Sequence, residues 1–166
     1  MGVYPLESLL SVRKYREDEA ARIVKAAESE VKTAKDAVDA RQSELQAFRL
    51  WRADEEKRRY AAVMGKPCTI KDIDDLKAGL AQLAAQETIR EEAVYKAEKA
   101  HLQAQTRLEE ARLAAKNAQK ETAKIMAHKD IWAEEDKRES ERKEDLELEE
   151  FRPVSRKGAE AEGDDA

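Results

Sequence analysis

The five residues Gly65-Lys66-Pro67-Cys68-Thr69 constrain this chain most, because they form the one strong break in its middle. Between Pro5 and Gly65 there is no Gly or Pro, and between Pro67 and Pro153 there is only Gly79. Gly and Pro are the residues a helix interior tolerates worst, at roughly 1 and 3 kcal/mol relative to Ala. Two long stretches that avoid them, joined by Gly-x-Pro, read as two long helices. Gly65 suits the left-handed conformation that ends a helix, and Pro67 stops the helix from running through. Thr69, with Asp72 three residues on, matches the capping box that restarts one. The predicted fold is all-α: helix 1 over about 6–64, a turn at 65–69 and helix 2 over about 70–150, forming one antiparallel coiled-coil hairpin across 1–151. Residues 152–166 read as a disordered tail.

Heptad spacing supports this. In the first stretch one row holds Leu10, Val24, Val31, Val38 and Leu45, and a second holds Leu6, Ala20, Ala27, Ala34 and Phe48. These are a and d positions, with Arg13, Glu17 and Arg41 as interruptions whose long stems can cover apolar surface. The second stretch repeats the pattern. Ile73, Leu80, Val94, Leu108 and Ala115 form one row; Leu76, Leu83, Ala97, Ala104, Ala111, Ala118, Ile125 and Trp132 form the other. Folding the chain back at the turn sets Ala27 near Arg107 and Ala34 near Ala100, so the two Ala-rich stretches coincide. A parallel pairing of two chains would not require that match. The same register brings Leu6 near His128 and leaves the second helix overhanging the first.

Charged residues make up 42% of the 166 and aromatics 5%, too few large apolar groups for a globular core. The charge is uneven. Residues 134–166 hold 14 acidic and 7 basic side chains, a balance of −7, which leaves the first 133 residues at +2 of the total −5. That is not the basic surface of a nucleic-acid-binding protein. No apolar run approaches the ~20 residues of a membrane span. The first residues lack a signal peptide's apolar stretch, so a cytosolic protein that is not integral to a membrane is expected. Cys68 stands alone and cannot close a disulfide within the chain.

Catalytic motifs are lacking. There is no phosphate-cradling Gly loop and no clustered Cys/His set, so neither an enzyme nor a metal or cofactor site is expected. His101 falls on the seam between Ala97 and Ala104, and the many carboxylates read as solvated helix faces. Two features point to partners. Leu50 and Trp51 lie off the seam within Arg49-Leu50-Trp51-Arg52. An aromatic and a leucine flanked by arginines are typical of interfaces, although Trp51 could instead cover the seam. The second feature is an apolar crowding at the terminal end, where Tyr4, Leu6, Leu9 and Leu10 meet Ile125, Met126, Ile131 and Trp132. It would either bind a partner or stop the ends from fraying.

Tyr4-Pro5-Leu6, followed by Leu9-Leu10-Ser11-Val12-Arg13, resembles the opening of the YscO proteins of type III secretion, which are similar in role to flagellar FliJ. His128-Lys129-Asp130-Ile131-Trp132 resembles the late second helix of chlamydial-type members. The resemblance implies a non-enzymatic hairpin that acts as the central stalk of the hexameric secretion ATPase, much as the γ subunit does in rotary ATPases. It also implies contacts with the export gate protein and, in several systems, substrate chaperones, at the cytosolic face of the apparatus. On this reading Tyr4, Leu6, Leu10, Arg13, His128, Lys129 and Trp132 form the partner surface at the terminal end, with Leu50 and Trp51 as a second patch. The chain alone would be a monomer. The competing classes are a homo-oligomeric structural coiled coil and a chaperone-like adaptor that clasps client helices.

Overall fold

The computed structural model describes residues 2–152. They form two long helices packed against each other, α1 over Glu7–Val63 and α2 over Ile70–Glu150, with no strand among the described residues. The expected all-α class stands. The tail expected from residue 152 onward lies, beyond Arg152, outside the described residues.

The link forms as its residues dictate. Gly65 has φ 75°, a left-handed conformation that an L side chain strains to adopt. At the start of α2 the Thr69 N–H donates to Asp72 Oδ2 at 2.8 Å, and the Asp72 N–H reaches Thr69 Oγ1 at 3.3 Å. This is the reciprocal capping box, and hydrogen bonding from Thr69, its backbone N–H first and its side chain second, holds the Asp72 carboxyl below its ordinary range.

The chain divides into two compact units. One is Glu19–Lys116; the other joins the N-terminal stretch through Asp18 to the chain from Asn117 onward. In the Glu19–Lys116 unit the helices run antiparallel, as Glu28 with Arg112, Gln42 with Glu98 and Arg49 with Glu87 show. Its core is the predicted seam. Ala27 is buried with Leu108 and Ala111, and Val24 and Val31 pack against them. Val38, Leu45, Phe48, Leu83 and Ala104 are buried along the same stripe. Ala27 thus sits beside Leu108 rather than Arg107, because a seam layer pairs core positions and Arg107 points outward to Glu30.

In the terminal unit Leu10 is only 2% exposed, and Thr122 takes a seam position beside it in the heptad count, at 4%. The Thr122 hydroxyl lies 3.3 Å from the Arg13 carbonyl and 3.1 Å from that of Ala118, so its donor is used within the unit. Beyond Asp136, α2 carries Lys137–Glu141 and Lys143–Glu139 pairs at helical spacing, while Leu146 and Leu148 are exposed. No large side chain among the described residues is fully buried. Two facing helices cover one stripe of each other and leave the remainder in water.

Candidate functional sites

The terminal unit holds all seven terminal residues singled out in the sequence and brings four of them, Tyr4, His128, Lys129 and Trp132, together. The Tyr4 hydroxyl and His128 Nδ1 share a hydrogen bond of 2.6 Å, and the Tyr4 ring lies 5.5 Å from that of Trp132. Lys129 Nζ stands 5.9 Å from the centre of the Tyr4 ring and donates to Glu7 Oε2 at 2.8 Å. Gly2 lies against Trp132 and offers its N–H to Asp136 at 3.4 Å. Tyr4 therefore anchors the segment preceding α1 onto α2.

This arrangement changes the roles expected of three residues. Tyr4 and Leu10 are 5% and 2% exposed, so they support a surface from beneath instead of offering themselves to a partner. Arg13 does not line a free basic margin. Its Nη1 lies 3.4 Å from Glu121, and its Nε is buried with no partner. Glu121 is shared with Lys124 at 3.1 Å, and these cations, Lys124 foremost, hold its carboxyl below the ordinary range. With Lys129 on Glu7 as well, the predicted basic rim is neutralised from within. What the unit does offer is apolar. Leu6 just before α1 is 37% exposed, Leu9 and Val12 on α1 are 36% and 46% exposed, and Met126 and Ile131 are exposed on α2. Val12 escaped the sequence reading as an apolar surface residue, although its spacing from Leu9 places both on neighbouring faces of one helix.

In the Glu19–Lys116 unit, Leu50 is exposed and Trp51 half so, with the indole 5.5 Å from the Phe48 ring. Phe48 also carries the Arg90 guanidinium, 4.0 Å from its ring centre. The two arginines that flank the pair are occupied. Arg49 donates to Glu87 at 2.9 Å and to Glu91 at 2.8 Å; Arg52 donates to Glu87 at 2.6 Å and to Glu56 at 2.7 Å. Those carboxylates keep both guanidiniums firmly protonated.

Past Phe48 the seam turns charged, a feature the sequence reading missed. Glu55 is buried and held by Arg58 at 2.6 Å and Arg59 at 3.0 Å, which lower its carboxyl to about 2. Glu87 is likewise lowered, by Arg49 and then Arg52. The signal was present as a gap. Carrying the heptad on from Leu45 and Phe48 lands on Arg52, Glu55 and Arg59, and the α2 rows skip from Leu80 to Val94 across Glu87. Gly79 belongs to this region, since a Cβ there would come within 2.8 Å of Arg59 Nη1.

Buried heptad seams and antiparallel pairing define a two-helix coiled-coil protein. The family model described as type III secretion protein YscO matches residues 6–153. CT670 of Chlamydia trachomatis, described as a YscO homologue, superposes with a TM-score of 0.74 at 29% identity, covering 91% of this chain and 93% of its own. The type III secretion protein YscO of Vibrio parahaemolyticus superposes with a TM-score of 0.84 at 26% identity, covering 89% and 92%. No curated protein matches the chain. The chain belongs to the YscO family, and its role lies in type III secretion.

Proposed function

We propose that this protein is a non-enzymatic stalk and adaptor of a type III secretion system, working at the cytosolic face of the apparatus. Its terminal unit inserts in the hexameric secretion ATPase. The chain also links the ATPase to the export gate protein, for which Leu50 and Trp51 are the contact, and to substrate chaperones. The observation that carries the ATPase assignment is the exposed set Leu6, Leu9 and Val12 on a helix start that Tyr4 pins to His128 and Trp132. An apolar surface held on a rigid base loses little freedom on docking, which favours affinity.

The test is stimulation of the cognate ATPase by purified protein. Leu9→Gln with Val12→Gln changes exposed side chains only, so helicity should persist while stimulation falls at least tenfold. Lys66→Glu with Lys71→Glu, beside the link between the helices, should leave stimulation within about twofold. Retained stimulation in the terminal variant, with loss in the link variant, would reverse the assignment of which end enters the ring.

A further inference from the structure

An apolar heptad seam defines its own register poorly. Ala20, Ala27 and Ala34 recur every seven residues on α1, as Ala97, Ala104 and Ala111 do on α2. A slide of one heptad therefore returns alanine to alanine with little change in buried area. The link is a weak ruler as well. Met64 and Ile70, on either side of it, are 71% and 81% exposed, so a turn of helix beside it can unwind at small loss of packing.

The charged seam behaves differently. Glu87 accepts from both Arg49 and Arg52, Arg49 also reaches Glu91, and Arg59 lies over Gly79. The Glu87 side chain is 18% exposed and that of Arg52 26%, so neither can exchange its partner for full hydration. A slide of one heptad in one direction would set Glu87 against Gln42 and Leu45, and Arg52 against Leu80. The opposite slide would set Arg52 against Val94 and move Glu87 to Glu56 and Arg59, where Glu56 repels it and Arg59 is already held by Glu55. Either takes from Glu87 the two guanidiniums that hold it and turns Arg52 toward an apolar side chain, which costs more than the intact pair contributes.

We propose that the cluster of Arg49 and Arg52 with Glu87 is a register lock, which holds α1 and α2 in the one alignment that the alanine seam alone leaves undefined. The lock is a property of the helix pair and does not depend on the secretion partner assigned above. It predicts that moving the acid moves the register. With Cys68→Ser throughout, the native alignment is read by disulfide formation between Ala27→Cys and Ala111→Cys. The alignment displaced by one heptad is read between Ala34→Cys and Ala111→Cys. In the full-length protein only the first pair should oxidise within one chain. Glu87→Leu with Val94→Glu carries the acid one heptad along α2, and the displaced pair should then become the major product. Persistence of the native pair alone would overturn the lock. If that variant loses its helical signal, Glu87→Gln decides, since it keeps size and polarity while removing the charge. The displaced disulfide should then appear at a tenth or more of the native yield, and its absence would overturn the proposal equally.

Discussion

Trp51 rests on Phe48 and still leaves 49% of its surface to solvent, while its neighbour Leu50 leaves 66%. A ring so placed covers the seam and offers an edge to a partner at once, so its two sequence readings are not exclusive. Because Phe48 is also covered by Arg90, removal of the indole does not open the seam to water on both sides. Trp51→Ala should lower the thermal midpoint only slightly. It should weaken binding to the export gate protein by ~2 kcal/mol or more if the indole is an anchor there, measured by titration calorimetry. A large loss of melting temperature with binding unchanged would assign Trp51 to packing alone. The burial of Leu10 follows from its seam position, whereas that of Tyr4 depends on the path of the segment before Glu7, which no heptad count describes.

The charged seam sets how the helix pair responds to acid. Glu55 has its carboxyl lowered to about 2 from an ordinary value of 4.5, chiefly by hydrogen bonds from Arg58 and Arg59. A lowered folded-state value means that the contribution is complete above the unfolded value and fades as pH falls from there through the folded one. Helix-pair stability should therefore decline between pH about 4.5 and 2. In Glu55→Gln that decline should be shallower, with lower stability at neutral pH, as circular dichroism melts across the range would record. An unchanged slope would show that other carboxylates, such as Glu87 and Glu121, carry the acid response. The helices themselves were legible because breakers, cap residues and seam period all agree. The charged seam was not, because Arg and Glu at a core position can either snorkel to water or pair across the interface, and periodicity does not distinguish these. Arg41 took the first course, meeting Glu44 on its own helix with half its side chain exposed, and Arg52 the second.

For the molecule as a whole, membership of the YscO family places it in type III secretion, and among the described residues no helix is long and apolar enough to cross a membrane. The candidate surfaces were only half legible. Apolar clustering near the termini was visible in the sequence, whereas the neutralisation of Arg13 and Lys129 by Glu121 and Glu7 emerged only from the paired helices. A stalk that works as one copy should give the mass of a single chain by light scattering in a reducing buffer, and a stable dimer there would favour the homo-oligomeric coiled coil. The reducing buffer matters because Cys68, the one cysteine in the sequence, is exposed in the link between the helices. Oxidation can tie two copies together only back to back through that thiol, giving a species of doubled mass that dithiothreitol dissolves. The same exposed sulfur gives a natural point for one fluorophore per molecule, so docking on the secretion machinery can be followed optically without altering any other residue.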